Sequence, residues 1–492
     1  MRKTTNFGFS ILFFYPLEVP MKDILIIGAG IVGSSIAYAC SKKNLDVVLL
    51  EKNIEAMDEV SSANSGIVHA GYDPEEGTLK AKLNLRGSRL YPNLCRELKV
   101  GYLNCGAFIV ATSDEEAEIL ETLRLKAVQR DIPYEVLTKE EALQQEPNLT
   151  DQVISVLSFP STAVVTPWEV GHAMIETAIL NQVEFITDSE VLEVLKIEGG
   201  FRIITATNRL EAKMIINASG LCGDKVARLN RVDYPKVLSY RRGEYDVFDR
   251  SFQGFIDHVI YPVPTALGKG VLALVTIEGN IMIGPNSEVI DTPYDTQTTA
   301  EGLASVSQRI NKTMKNLPVG AIIRQFAGVR PVPITKDFII EEDTPDWINV
   351  IGIESPGLAS APAIAEMVMN DFIQPKFQAN ERVDYNYRSA PIKIMESDPK
   401  TRAALIKENP KYGKMVCLCE QVSEQEIVDC IHRLDGARSV KGVKKRVRPG
   451  SGRCQGGFCE PEIVKILARE LKIDLSEVVY DTINSTMLKR KG

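Results

Sequence analysis

Short, uninterrupted apolar runs are the first pattern along the chain. Lys22 to Ile27 (KDILII) and Asp46 to Leu50 (DVVLL) are too short for helices and do not alternate, so they read as strands buried on both faces, as in a parallel sheet. Between them, Ser34 to Lys42 is helix-compatible. Met214 to Leu221 (MIINASGL) and Trp347 to Ile353 (WINVIGI) repeat the same kind of run much later. Residues 236–324 carry other strand-like stretches (VLSYRRGEYDVF, GVLALVTIEGNIMIG) broken by Pro262, Pro264, Gly268 and Gly270, while 113–150 shows an acidic helical pattern. From Gln374 to about Lys411 the chain is charged, contains proline and has little apolar periodicity, which reads as a linker. Beyond it, Ser423 and Glu426 form a capping box for a helix ending near Arg433, and Glu460-Pro461 opens another.

The 492 residues exceed what one core organises, and at roughly 100–200 residues per domain they predict about three units. Composition is that of an ordinary globular protein, with 44% hydrophobic and 25% charged residues. The charge of −8, from 57 Lys and Arg against 65 Asp and Glu, argues against a nucleic-acid partner, since such domains carry a basic excess. A small anionic substrate needs only a local group of cations. No window offers the ~18 uncharged apolar residues of a membrane span. Phe7 to Leu17 follows Arg2 and Lys3 like the apolar part of a signal peptide, but no small-residue cleavage site follows and Met21 stands directly before the first strand. Residues 1–20 therefore read as an extension or upstream start, with targeting or peripheral membrane association as the alternative, and the cytoplasm is the expected location.

The first strand leads into Gly28-Ala29-Gly30-Ile31-Val32-Gly33, a G-x-G-x-x-G sequence, and the second ends at Glu51, 18 residues after Gly33. Strand, glycine turn, helix, strand and acid in register form a dinucleotide fingerprint. The glycines allow a tight turn and close pyrophosphate approach, the helix start faces the phosphates, and the acid accepts from ribose hydroxyls. FAD and NAD both satisfy it, because each carries the adenosine-diphosphate half. The following Ser61-Ser62-Ala63-Asn64-Ser65-Gly66-Ile67-Val68-His69-Ala70-Gly71 is rich in small polar residues whose backbone can pass close to a large planar ligand.

That loop after a GxGxxG…E unit resembles the D-amino-acid oxidase and glycerol-3-phosphate dehydrogenase superfamily of FAD enzymes. The strand ending Ala218-Ser219-Gly220, the run Phe326 to Pro331 (FAGVRP) and Glu354-Ser355-Pro356-Gly357-Leu358 resemble its later FAD-contacting segments. The resemblance implies FAD held by Gly28, Gly30, Gly33, Glu51, Lys52, Ser61, Ser62, Asn64, Ser65, Gly66, Ala218, Gly220, Gly328, Gly357 and Leu358, and with no cysteine or histidine beside the fingerprint noncovalent binding is expected. It also implies an α/β fold with a discontinuous Rossmann-like FAD part (about 21–105, 161–235 and 325–375). An antiparallel-sheet substrate part (about 106–160 and 236–324) would be interleaved with it, a linker would occupy 376–412, and a small helical domain 413–480.

Five of nine cysteines crowd into the last 80 residues, which suggests metal more than disulfides. Cys417 and Cys419 form C-x-C, and after 34 residues Cys454 and Cys459 form C-x4-C. The one-residue gap is awkward for structural zinc, whereas four thiolates are the normal complement of a [2Fe–2S] cluster, which is favoured. Both pairs precede helices, whose N-termini stabilise an anionic cluster. The pattern resembles the bacterioferritin-associated-ferredoxin-like [2Fe–2S] domain, and Cys430, inside the first helix, reads as core.

Over residues 21–480 the combination resembles the FAD-dependent glycerol-3-phosphate dehydrogenases of the anaerobic type. This implies oxidation of sn-glycerol 3-phosphate to dihydroxyacetone phosphate, with electrons passing from flavin toward the cluster and an external acceptor or redox partner subunit. His69 is the candidate base, since imidazole titrates in the useful range. Arg330 and Lys269 are the candidate cations for the substrate anion and Ser355 a hydrogen-bonding group. Two alternatives stand beside this reading: a 2-hydroxyacid or amino-acid dehydrogenase of the same superfamily, and an electron-transfer or redox-sensor subunit.

Overall fold

A computed structural model describes residues 20–264 and 270–488. Two large sheets share the first 350 residues. In the first, strand Met21–Ile27 is central and runs parallel to Val47–Leu50 on one side and to Arg209–Asn217 on the other. Glu184–Ile186 and Trp347–Ile351 extend this parallel set outward, and the antiparallel strand Ile339–Thr344 closes one edge. Ile24, Leu25, Ile26, Val47 and Val48 are fully buried, so helices on both faces account for apolar runs without alternation. The glycine turn sits at the carboxyl end of the central strand, where neighbours lie on either side, the place at which such sheets bind ligands.

The second sheet has nine strands, almost all antiparallel. Leu238–Phe248 pairs along its length with Ile322–Pro333, and Leu272–Val275 with Ile281–Gly284. One parallel pair, Ala107–Ala111 with Val259–Pro262, joins the two sequence segments that build this sheet. The acidic stretch after residue 113 forms the helices Asp114–Gln129 and Lys139–Gln145 with a strand, Glu135–Thr138, between them.

The charged segment read as a linker is more structured than its composition suggests. It contains the helix Pro399–Glu408, capped by Asp398, and it is pinned to the first unit where Arg388, 6% exposed, pairs with Glu176 and donates to the Leu98 carbonyl. Arg388 anchors it through charge, and its apolar contacts are isolated residues such as Ile394 and Tyr385, so no apolar periodicity reports them. The C-terminal unit packs the helices Glu424–His432, Val440–Val447 and Glu460–Leu471 around Ile427, Val443, Ile463 and Leu467. Ser423 and Glu426 make the expected capping box.

Buried charge joins this unit to the first sheet's loops. Glu55 accepts from the backbone N–H groups of Arg438 (2.7 Å) and Ser439 (3.0 Å), from the Ser439 hydroxyl, and pairs with Arg446 at 2.7 Å. Arg446 also pairs with Asp435 at 3.0 Å, and Asp435 in turn meets His172 of the helix Pro167–Leu180. Lys445 pairs with Asp58 at 2.5 Å, and Glu176 receives Arg433. Burial alone would raise the Asp435 carboxyl. Arg446 and then His172 outweigh it and hold Asp435 well below the usual carboxylate range.

Candidate functional site

The fingerprint turn is built as its spacing requires. Gly28 has φ +103°, and a Cβ there would lie 2.6 Å from the Ala218 carbonyl oxygen, while one on Gly33 would lie 1.9 Å from that of Gly28. Only glycine brings the helix Ile31–Ser41 this close to the strand end. Gly30 supplies no side-chain cap to that helix, and apart from the Ile31 N–H, which Ser61 takes, its first-turn N–H groups are left for phosphate. Glu51 braces the turn, accepting from the Ala29 N–H at 2.9 Å and the Asn53 N–H at 3.0 Å. Burial pushes its carboxyl up to about 7 despite these two donors.

Beside the turn lies a cavity of about 520 Å³, within the range of small-molecule sites. Of the residues singled out from sequence, Gly30, Ser61, Asn64, Ser65, His69, Ala218, Gly220, Arg330, Ser355, Gly357 and Leu358 line it. Ser61 Oγ accepts from the Ile31 N–H at 3.0 Å, and Asn64 bridges the Val60 carbonyl and the Gly66 N–H, so these two side chains shape the loop. Gly28, Gly33, Glu51 and Gly66 do not line it. Lys52 pairs with Glu59 at 2.9 Å and does not line the cavity. Ser62 and Gly328 face a different cavity on the far side of the loop. A Cβ on Gly328 would lie 2.0 Å from the Ala63 carbonyl oxygen, so this glycine lets the second sheet press on the loop. Lys269 lies outside the described residues, as do residues 1–19.

His69 is 3% exposed. Its backbone carbonyl is held by Asn84 Nδ2 at 2.7 Å, and its ring packs on Tyr72 and edge-on to Tyr261. The Gly71 N–H donates to Nδ1 at 3.2 Å, which places the proton of a neutral ring on Nε2. Across the cavity, Arg330 and Arg241 are directly opposed partners on adjacent antiparallel strands, and both line it together with Arg309. Like charges directly opposed on a sheet repel, so two guanidinium groups here favour an anion between them. Arg241 and Arg309 went unnoticed in the sequence. Arg241 falls in a readable strand, VLSYRRGEYDVF, but its register against Arg330 is a long-range pairing with no local signal. Tyr245 and Tyr261 complete the walls, and burial raises both phenols, which are therefore neutral at physiological pH.

In the C-terminal unit the four cysteines come together as two pairs. Cys419 Sγ and Cys454 Sγ are 3.9 Å apart, and Cys417 and Cys459 lie close enough to shift each other's titration. The Cys459 contact is the largest influence on Cys417, which is lowered to about 6 while Cys459 rises. Among the described residues no three His, Cys, Asp or Glu side chains converge to hold a single metal ion. Two thiolate pairs suit instead a centre of two irons, each held by two sulfurs. Cys459 is the N-cap of the helix Glu460–Leu471, and Cys430 is buried in the core, donating to the Ile427 carbonyl.

A parallel nucleotide-type sheet with a glycine cradle, an antiparallel sheet closing a cationic cavity, and a cysteine-paired domain together define a flavin oxidoreductase with an attached iron–sulfur unit. Residues 23–370 match the family model of FAD dependent oxidoreductases, and residues 415–469 that of the BFD-like [2Fe-2S] binding domain. The chain belongs to the FAD dependent oxidoreductase family, and FAD and a [2Fe–2S] cluster are its cofactors. It is 39% identical over 472 residues to a glycerol 3-phosphate dehydrogenase of Caloramator mitchellensis, covering 95% of this chain and 98% of that one. It is 31% identical to a glycerol 3-phosphate oxidase of Mycoplasma pneumoniae, covering 70% and 92%. Among solved structures, the dithionite-reduced L-alpha-glycerophosphate oxidase of Mycoplasma pneumoniae with FAD bound superposes with a TM-score of 0.71 at 28% identity, covering 76% of this chain and all of that one. No described helix is long and apolar enough to cross a membrane.

Proposed function

We propose that the protein oxidises sn-glycerol 3-phosphate to dihydroxyacetone phosphate and passes the electrons through its [2Fe–2S] domain to an external one-electron acceptor. The observation that carries the substrate is the opposed pair Arg241 and Arg330 facing the same cavity as His69. Guanidinium forks match phosphate oxygens in a bidentate way. The two relatives named for this substrate support the same reading.

In this reading, FAD would be held by the Gly28–Gly33 turn and the 61–66 loop and would supply a two-electron acceptor for the carbinol carbon. Arg330 and Arg241 hold the phosphate and thereby fix which carbon faces the cofactor, while Ser355 hydrogen-bonds the polar end of the substrate. Lys269 is the further cation expected from sequence. His69 takes the hydroxyl proton, for which the Gly71 N–H must release Nδ1 so that a lone pair on the ring faces the substrate. At 3.2 Å that contact is at the long limit for an N–H donor. Closure by Tyr261 and Tyr245 keeps water from the reacting carbon. Cys417, Cys419, Cys454 and Cys459 would hold the [2Fe–2S] cluster, which would supply one-electron transfer suited to a partner protein or small acceptor more than to oxygen.

Anaerobic mixing of the FAD-loaded protein with glycerol 3-phosphate, 2-hydroxyglutarate or amino acids tests this directly. Bleaching by glycerol 3-phosphate alone is expected. Bleaching only by a hydroxy acid or amino acid moves the assignment to that substrate, and no bleaching by any of them leaves an electron-transfer subunit.

A further inference from the structure

Two large apolar side chains stand in water beside the cysteine motifs. Leu418, between Cys417 and Cys419, is 80% exposed, and Phe458, directly before Cys459, is 88% exposed. The thiols themselves are covered unequally: Cys417 and Cys459 are buried, whereas Cys419 and Cys454 are partly open. The same face continues onto the unit built by the second sheet. Arg250 donates to the Cys419 carbonyl at 2.7 Å, and Arg453, next to Cys454, pairs with Asp249 at 3.3 Å. Arg453 also lines a shallow, open hollow with Phe252, Pro318 and Val319, and of these Phe252 and Val319 are exposed as well. Single exposed apolar residues are ordinary, but a group of them on one face marks a surface that is covered by something else.

Guanidinium groups rim this face, while the acids that pair with them lie inside. The Arg453 side chain is 75% exposed against 11% for Asp249, and that of Arg250 is 45% exposed against 6% for Glu420. Glu460, which follows Cys459, turns back toward Gly456 and the Lys444 ammonium. The face therefore presents an apolar centre and a cationic edge, although the chain as a whole carries a charge of −8. A local field opposite in sign to the bulk of the molecule steers an acidic partner to this one place and turns a basic one away.

An electron leaving the chain does so where Cys419 and Cys454, the two thiols nearest to solvent, come to the surface. We propose that Leu418, Phe458 and Arg453 form the docking face for an acidic one-electron carrier protein, with the apolar pair seated against the carrier's surface and the guanidinium groups meeting its carboxylates. The inference rests on the delivery of electrons to an external acceptor proposed above. In each encounter the carrier gains one electron, the cluster held by the four cysteines gives it up, and no covalent bond forms or breaks. Two encounters thus pass on the two electrons taken from one substrate molecule. A small apolar centre with a charged rim suits the contacts of less than about 1,200 Å² typical of electron-transfer pairs, which must part after each transfer.

The test reads binding first, with no electron moving. The full-length oxidised holoprotein is titrated in a calorimeter with oxidised rubredoxin, a small acidic one-electron carrier, and with the basic cytochrome c as the contrasting probe. Rubredoxin is expected to bind, more weakly as salt rises, and cytochrome c is not. Changing Leu418 and Phe458 together to Ser, and separately Arg453→Glu, should weaken rubredoxin binding by about 10-fold, the effect of losing an anchor at the centre of a contact, with FAD content and cluster absorbance unchanged. If the Ser changes disturb the cluster, Arg453→Glu, whose head group is in water, decides alone. In a second measurement, protein reduced with dithionite and freed of it is mixed with oxidised rubredoxin. The same variants should slow rubredoxin reduction by a similar factor and leave reduction of benzoquinone, a small neutral acceptor, as fast as before. No binding of rubredoxin, equal affinity in the variants, or cytochrome c binding as tightly overturns the proposal. So does attachment to phosphatidylglycerol vesicles, or a dimer in light scattering, that is lost when Leu418 and Phe458 are changed, because lipid or a second copy then covers the face. No substrate enters either measurement, so a failure here is distinct from a failure of the substrate assignment.

Discussion

Glu55 offers the sharpest test of how the two cofactor-bearing units are held together. Its carboxylate is 2% exposed, accepts three hydrogen bonds from Arg438 and Ser439, and pairs with Arg446. Glu55→Ala removes all four contacts at once. Breaking a buried pair by deleting one partner costs about 3–5 kcal/mol. Arg446 retains Asp435 at 3.0 Å, which places the loss at the lower end, about 3 kcal/mol, or roughly a hundredfold in the docking equilibrium. Glu55 does not line the 520 Å³ cavity, so bleaching of FAD by substrate should keep its rate. Stopped-flow absorbance should show slower arrival of electrons at the cluster, and limited proteolysis should cut faster within 376–412. If cluster reduction and proteolysis are both unchanged, the buried ion network does not hold the units in place.

His69→Gln should keep FAD and lose turnover by about 10²- to 10⁴-fold, because an amide donates and accepts hydrogen bonds but cannot take a proton at neutral pH; near-normal steady-state turnover would make His69 a hydrogen-bonding group only. Arg330→Ala should chiefly raise KM for glycerol 3-phosphate, since a clamp on the nonreacting phosphate is uniform binding, and a fall in kcat alone would place Arg330 at the reacting carbon. Changing Cys417 and Cys419 to Ser should abolish the cluster's absorbance and leave substrate-driven flavin bleaching intact; loss of bleaching would contradict the separation of the two sites. Docking should weaken in acid. Asp435 and Glu55 are held below their ordinary range, so the stability they contribute is present above about pH 4 and is lost as pH falls through their folded values. His172, lowered by burial and then Arg446, acts in the same direction, because the unfolded imidazole gains its proton first. Protease susceptibility that stays flat between neutral pH and pH 4 and below would refute this.

Local chemistry made the cofactor cradle readable. Gly28, Gly33 and Glu51 lie within one strand–turn–helix–strand unit, where spacing along the chain is spacing in the fold. The two cysteine motifs were readable for the same reason, each being short and ahead of a helix, but that Cys419 meets Cys454 across the motifs is a long-range pairing with no local signal. Arg241 and Arg309 were not, because their place beside Arg330 and His69 is fixed by the register of Leu238–Phe248 against Ile322–Pro333 and by the helix Ala300–Ile310. The helix Val440–Val447 was also missed. Its cap, Ser439, and the spacing of Val440, Val443 and Val447 were available signals, but a lysine-rich surface masked them. Its cations Arg446 and Lys445 face Glu55 and Asp58 from nearly four hundred residues earlier, which no pattern within the helix announces. Linker composition misled in the same way, since Arg388 and Glu176 order it through charge.

In the proposed reaction one chain takes electrons from glycerol 3-phosphate at its flavin and delivers them to its own cluster. Anaerobic addition of glycerol 3-phosphate to the oxidised holoprotein, followed by freeze-quench electron paramagnetic resonance alongside flavin absorbance, tests both halves at once. Loss of the oxidised FAD bands followed by the signal of a reduced [2Fe–2S] centre is the predicted result. An unbleached flavin, or a bleached flavin whose electrons reach added ferricyanide at the same rate with the cluster cysteines replaced, would contradict it.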